Sequence, residues 1–294
     1  MDLSIIIVSW NVKDKLKQNL HAILASRDLQ HNLGLKGFSY EIYVVDNNSH
    51  DNTADMVRHE FPQVKLVANS KNLGFSSAVN QVMREAEGKF ILLLNPDMQV
   101  KPNTLAAMLE WMNKNSQAGA AICKLINESG ELIKHIRRFP SFKDQLVIVL
   151  KLPHVFPWIL KKYLRYDFNY NHSCQVDSAR GSFFLIRKEI IKQVGLLDER
   201  YFIWFEDVDY CKTIKEKGLE VWYVSNAECI DFVGQSFKQI KSLTTQKYFR
   251  DSMLKYFKKW HSVRQAIILK IAWAIILPFI YLVSILGMKS RAKT

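Results

Sequence analysis

Carboxylates are the residues of this chain whose placement could do chemistry. Asp46 closes the apolar run at 40–45. Asp97 closes another, Ile91-Leu92-Leu93-Leu94-Asn95-Pro96. Glu206, Asp207 and Asp209 follow directly on the aromatic run Tyr201-Phe202-Ile203-Trp204-Phe205. Acids this close are costly to bury without partners. Clustered carboxylates suit a hard divalent cation together with phosphate oxygens. An acid with no metal to hold can act as a general base. A turn at Asp97 or a helix cap at Asp207 would account for single acids only. No Ser-His-Asp or Cys-His arrangement competes. None of the eight histidines forms a His-x-x-x-His pair, so a zinc site is not expected.

The elements around these acids explain how they would be presented. An unbroken apolar run such as 91–94 reads as a strand buried on both faces. Pro96 cannot donate to a sheet ladder and ends it. Asp97 then stands at the carboxyl end of a central strand, the edge where open α/β sheets bind ligands. Leu3–Ser9, 40–45, 64–68, Ala118–Ile126 and 181–187 read as further strands. Residues 14–26, 53–61, 75–87, 102–115 and 207–217 read as helices, and 27–39 as a polar loop with Gly34 and Gly37. The alternation predicts an α/β fold with a largely parallel sheet and helices on both faces. The first strand ends Ser9-Trp10-Asn11 without glycine, and no Walker loop is present. The fold therefore does not hold phosphates on a glycine-rich loop.

Composition narrows the class. The chain has 294 residues, 48% of them hydrophobic, enough for one large domain with additions or for two small domains. The net charge of +13 suits an anionic membrane face, phosphorylated substrates or nucleic acid. No nucleic-acid motif accompanies it. Cys123, Cys174, Cys211 and Cys229 have no metal spacing and read as reduced thiols of a cytosolic protein. The chain starts directly on a strand, so no signal peptide is expected. Residues 137–172 are basic and aromatic. They read either as a surface insertion or as a flap facing the acceptor or the membrane.

Several ordered motifs carry a resemblance. They are Val44-Val45-Asp46-Asn47-Asn48-Ser49-His50-Asp51, Asn72-Leu73-Gly74-Phe75 with Asn80, Asn95-Pro96-Asp97, Gly181-Ser182-Phe183, and Phe205-Glu206-Asp207-Val208-Asp209. Together they are similar to family-two glycosyltransferases of GT-A fold, in the branch containing bacterial rhamnosyltransferases, over residues 3–236. The resemblance implies a nucleotide-sugar pocket drawn from Ser9, Asn11, Asp46, Asn48, Asn72, Gly74, Asn80, Asn95 and Gly181. It implies that Asp97 ligates Mg2+ or Mn2+ and that Asp207 is the catalytic base, with Glu206 exchanging roles or orienting the acceptor. Family members often carry His shortly before a Gly-x-Ser. Here Asp231 stands at that place before Gly234-Gln235-Ser236, and is expected as a second ligand. Asn95 in place of a first acid is similar to enzymes using dTDP-L-rhamnose. UDP-hexoses and UDP-N-acetylhexosamines are the competing donors. Trp204 and Phe205 are candidates for an apolar wall against the C6 end of a deoxyhexose. The acceptor expected is a lipid-linked or polymeric glycan. A nucleotidyltransferase would need a glycine-rich start after the first strand, and an inactive membrane scaffold would not need the acids.

The C-terminal stretch, 241–294, reads as an appendix to a transferase domain at 1–240. Residues 242–261 are basic and amphipathic. Residues 271–288 carry no charge, the length of a membrane-span candidate, with Pro278 inside and basic flanks on both sides. Attachment to the cytosolic membrane face is expected, by spanning or by interfacial insertion.

Overall fold

The computed structural model describes residues 1–32, 37–232 and 242–285. In chain order the strands are β1 (Leu3–Ser9), β2 (Tyr40–Asp46), β3 (Lys65–Ala68), β4 (Phe90–Leu94), β5 (Met98–Val100), β6 (Ala118–Ile126), β7 (Ile136–Arg137), β8 (Cys174–Gln175), β9 (Ser178–Ala179), β10 (Phe183–Arg187) and β11 (Glu220–Asp231). The helices are α1 (Lys13–Asn32), α2 (Thr53–Glu60), α3 (Phe75–Met83), α4 (Thr104–Lys114), α5 (Phe142–Val149), α6 (Ile191–Val194), α7 (Glu206–Glu216), α8 (Ser242–Trp260) and α9 (Val263–Ile285).

The main sheet runs β3-β2-β1-β4-β10-β6-β11-β5, with β8 beside β11, and β7 and β9 form a separate ribbon. Strand β4 is central and wholly buried, as its apolar run requires. Its side chains alternate between two cores. Phe90, Leu92 and Leu94 pack with Leu16 and Leu20 of α1 and with Met108 and Met112 of α4. Ile91 and Leu93 pack with Val79 and Val82 of α3 and with Tyr210 and Ile214 of α7. Helices thus cover both faces.

The sheet is mixed rather than parallel throughout. β3, β2, β1 and β4 are parallel, but β10 lies antiparallel between β4 and β6. This reversal decides the site. Phe183 pairs with Leu94, so the start of β10 lies at the same edge as the end of β4. β11 runs parallel to β6, and its end meets β5, with Asp231 opposite Met98. The ends of β1, β2, β4 and β11 and the start of β10 therefore share one edge.

Two expectations need correction. Helix α1 continues to Asn32, through residues read as loop, because no glycine or proline stops it before Gly34. Residues 33–36, Gly34 included, lie outside the described residues. Strands β5 and β11 were not legible. Ser225-Asn226-Ala227-Glu228 breaks the apolar pattern of β11, where its register against β6 shifts between Val224 and Glu228.

The C-terminal helices are tied into this framework. Asp209 is buried and accepts from Lys259 Nζ at 2.7 Å, Trp260 Nε1 at 2.6 Å and Tyr201 Oη at 3.2 Å. One of the three clustered acids is thus structural. A third core joins Tyr201 and Phe205 to Val149 of α5, Met253 and Phe257 of α8, and Leu269 and Trp273 of α9. The 137–172 stretch is therefore partly core, since α5 carries Val149 into this cluster. Its tip keeps Val155, Phe156 and Trp158 exposed. Removing Asp209 leaves Lys259 without its buried partner. Asp209→Ala should lower stability by about 3 kcal/mol and speed amide exchange in α8. An unchanged denaturation midpoint would show that the three bonds contribute nothing.

Candidate functional site

The shared edge gathers most of the expected residues. Ser9 and Asp46 are the last register pair of β1 and β2. Both are buried, and neither Ser9 Oγ nor Asp46 Oδ1 has a hydrogen-bond partner among the described residues. Asp46 Oδ2 accepts from Ser49 N–H at 3.2 Å. Buried polar atoms are ordinarily satisfied, so two adjacent orphans at a sheet edge mark a ligand position. Asn11 and Asn48 both adopt left-handed backbone, which asparagine tolerates. Asn11 holds the pocket rim together. Its N–H donates to Ser49 Oγ at 2.9 Å, and its Oδ1 accepts from His50 N–H at 2.7 Å.

The Asn72-Leu73-Gly74-Phe75 turn works as a positioning device. Asn72 Oδ1 accepts from Gly74 N–H at 2.9 Å and from Asn47 Nδ2 at 3.0 Å. Asn47 Oδ1 accepts from Leu73 N–H at 3.1 Å. Gly74 has φ +82°, and a Cβ there would stand 2.6 Å from Phe202 O. The missing side chain lets Phe75 N–H reach Phe202 O at 2.7 Å. Asn80 is buried, with its amide committed to Leu197 and Glu199. Asn80 thus holds the chain before Glu206 in place rather than presenting a free amide, and Asn72 Oδ1 fixes the turn at Gly74. Asn47, buried and bonded on both amide atoms, is the hub that sequence reasoning left inside a motif without a role.

Asn95 and Asp97 follow β4. Asn95 N–H donates to Ser182 O at 2.9 Å, which locks the β4 end to the β10 start. Its own carbonyl accepts from Asn19 Nδ2 at 2.8 Å. Asp97 is buried, and its carbonyl accepts from Phe232 N–H at 3.1 Å, one residue beyond Asp231. Asp231 is also buried and faces Arg180 Nη1 at 3.3 Å. Among the described residues no group of three or more His, Cys, Asp or Glu gathers as a metal cage. The expected Gly234-Gln235-Ser236 lies outside the described residues. Asp97, just before β5, and Asp231, at the end of β11, are the two acids here that could serve a cation such as Mg2+, which commonly takes one or two carboxylates together with phosphate oxygens and water.

Glu206 and Asp207 open α7. Gly181 N–H donates to Asp207 Oδ2 at 2.9 Å, and Val208 N–H to Oδ1 at 2.7 Å. The two acids differ in surroundings. Burial pushes Glu206 far above the usual carboxylate range, and the charge of Asp207 adds to the shift. Glu206 Oε2 has no partner among the described residues. Burial raises Asp207 too, but the Gly181 and Val208 N–H groups, Arg137 and Arg180 pull it back. The N-terminal dipole of α7 acts in the same direction. Burial thus favours the protonated form more strongly at Glu206 than at Asp207, whose N–H donors and neighbouring arginines favour the charged form. Arg137 was read only as part of the basic stretch at 137–172, and Arg180 was not singled out from sequence. The signal for Arg180 is its place beside Gly181. Buried His135 lies near both arginines, and burial brings it down to about 4, so it adds no charge.

The aromatic residues before Glu206 are unusually held. Trp204 and Phe205 both have left-handed backbone, with φ 63° and 67°, a strain of roughly 1–3 kcal/mol each. Phe205 is buried against Phe249 and Tyr256, with ring centroids 5.5 Å away in each case. It is core, which removes it as a wall for the sugar. Trp204 is half-buried and remains a candidate.

Comparison with known proteins places this geometry. The Glycosyl transferase family 2 model matches residues 4–195. N-acetylglucosaminyl-diphospho-decaprenol L-rhamnosyltransferase of Mycobacterium tuberculosis is 29% identical over 203 residues, 64% of this chain and 65% of its own length. The match thus spans just under two thirds of that relative. Rhamnosyltransferase WbbL of Escherichia coli K12 is 26% identical over 78% of this chain and 82% of its own. In fold, the mannosyltransferase PcManGT of Pyrobaculum calidifontis, solved with GDP-Man and Mn2+, superposes with a TM-score of 0.54. That match has 16% identity and covers 94% of this chain and 80% of that one. It bears out the GT-A expectation.

Two substitutions probe the acids. A Cβ at Gly181 would lie 3.0 Å from Asp207 Cβ. Gly181→Ala should displace the carboxylate and reduce kcat about ten- to a hundredfold, with nucleotide binding retained. Wild-type kcat would refute the coupling. Glu206 has a folded pKa above its unfolded one. Its stabilising contribution is complete below the unfolded pKa and is lost as pH rises through the folded value. Glu206→Gln stays neutral throughout. Its Tm relative to wild type should climb as pH is raised from about 5 to about 9, and a flat difference would mean Glu206 is not held protonated.

Proposed function

The chain belongs to glycosyl transferase family 2, and on that premise we propose that it transfers L-rhamnose from dTDP-L-rhamnose, with inversion, to a lipid-linked glycan. The observation that carries this reading is Asp207, held by Gly181 N–H over the same edge as Asp46 and Asp97. The names of the mycobacterial and Escherichia coli relatives support rhamnose, and the decaprenol-linked acceptor of the first supports the lipid.

Ser9 Oγ and Asp46 Oδ1 receive the donor base, Asp46 accepting its imide N–H. Asp97 and Asp231 would hold a divalent cation, Mg2+ or Mn2+, and Mn2+ in the PcManGT structure supports this choice. That ion supplies Lewis-acid neutralisation of the departing diphosphate. Arg180 already sits on Asp231 and offsets its charge beside the phosphates. Asp207 takes the proton from the acceptor hydroxyl. The acceptor oxygen bonds to the anomeric carbon as the bond to the diphosphate breaks on the opposite face. No protein nucleophile is needed. Neutral Glu206 adds no second charge, and Trp204 lies against the deoxysugar.

The membrane reading rests on α9. Val263, Ile267, Ile271 and Ile275 recur every four residues on its exposed side, beside exposed Arg264 and Lys270. Such a helix suits lying in an anionic bilayer surface. Among the described residues no helix is long and apolar enough to cross a membrane. Residues 286–288, the end of the expected apolar segment, lie outside them.

Assay of purified protein with a panel of nucleotide sugars tests the reading. dTDP-rhamnose should be turned over. Asp207→Asn should lose about 10²–10⁴-fold in kcat while binding dTDP as before, and Asp97→Asn should lose the cation dependence of donor binding. Turnover of UDP-glucose or UDP-N-acetylglucosamine with none of dTDP-rhamnose would sink the sugar assignment. An active Asp207→Asn beside a dead Glu206→Gln would exchange the two acids.

A further inference from the structure

A second cleft lies behind the catalytic acids, between α8 and α9. Its volume is about 570 Å3, within the range of small-molecule sites. Leu243, Trp273, Leu277 and Pro278 make it apolar, and Lys247 and Arg250 bring two cations to it. Lys247 is exposed. The Arg250 guanidinium is held in place by two 3.0 Å bonds to Asp251 Oδ1.

The cleft is close to the chemistry. Phe249, next to Arg250 in sequence, has its ring 6.5 Å from that of Trp273. The same ring is 6.3 Å from Trp204 and 5.5 Å from Phe205. Those two residues immediately precede Glu206 and Asp207. Tyr248 stacks on Phe202 at 4.7 Å, and Ser252 Oγ donates to Ile203 O at 2.7 Å. One aromatic layer thus separates the cleft from the start of α7.

An apolar trough with cations beside it matches an amphiphile with a hydrocarbon chain and a phosphate head. We infer that this cleft binds the prenyl diphosphate part of the acceptor, the chain against Trp273, Leu277 and Pro278 and the diphosphate at Lys247 and Arg250. The acceptor sugar then extends past Trp204 towards Asp207. The inference rests on the lipid-linked acceptor of the proposed function.

Farnesyl diphosphate, titrated calorimetrically into the full chain, is the probe. Farnesol and inorganic pyrophosphate serve as its separate halves, phosphatidylglycerol vesicles as a bulk anionic surface, and dTDP binding as the check on folding. Farnesyl diphosphate should bind at least about tenfold tighter than either half. Ala274→Phe, which adds a ring to the cleft wall, and the double variant Lys247→Met with Arg250→Met should each weaken it by about tenfold or more. Vesicle binding by Ala274→Phe should be unchanged. Equal affinity in wild type and variants overturns the site and leaves the lipid-linked acceptor standing. Parallel loss of vesicle and farnesyl diphosphate binding in Ala274→Phe overturns it in favour of a bulk membrane surface. No binding by wild type, with transfer to a water-soluble glycan, overturns both.

Discussion

The 2.9 Å hydrogen bond from Gly181 N–H to Asp207 Oδ2 joins two parts of the chain that have no local reason to meet. On one side is β10, which runs against the direction of β4 and so delivers its first residues to the carboxyl edge of the parallel strands. On the other is the first turn of α7, where backbone N–H groups and the helix dipole favour a carboxylate. Gly181 fits because a side chain would press on Asp207. The bond also separates two adjacent acids. Asp207 receives donors that favour its charged form, while Glu206, buried with an unpartnered oxygen, is pushed further towards its protonated form. Two neighbouring carboxylates in one low-dielectric site cannot both ionise cheaply.

The strain before α7 has a matching support. Two consecutive bulky residues in left-handed backbone do not persist by themselves. Phe205 is clamped by aromatic residues of α8, Ile203 O accepts from Ser252, and Phe202 O accepts from Phe75 N–H. The last contact exists because Gly74 lets the two backbones close on each other. Asp209 adds the electrostatic part of the clamp, drawing Lys259 and Trp260 at the end of α8 onto α7. The C-terminal helices are therefore structural partners of the loop that precedes Glu206 and Asp207.

Much of this molecule follows from its sequence alone. The buried run at 91–94, stopped by Pro96, determined a central strand with Asp97 at its exit, because unbroken apolar residues need both faces covered. The pairing of Asp46 with a strand end, the strands at Leu3–Ser9 and Ala118–Ile126, and the helices around them follow from the same periodicities. The ordered motifs were enough to anticipate the family. Local pattern, however, carries no direction. The reversal of β10, the existence of β5 and the bulged course of β11 depend on pairing between residues far apart, and only the tertiary structure decided them. The same holds for side chains of one type with different duties. Asp207, Asp209 and Asp231 look alike in sequence. One is held by backbone N–H groups, one is bonded to Lys259 and Trp260, and one faces Arg180. A carboxylate's role is set by what surrounds it in space, and each of the three meets at least one partner more than 20 residues distant along the chain.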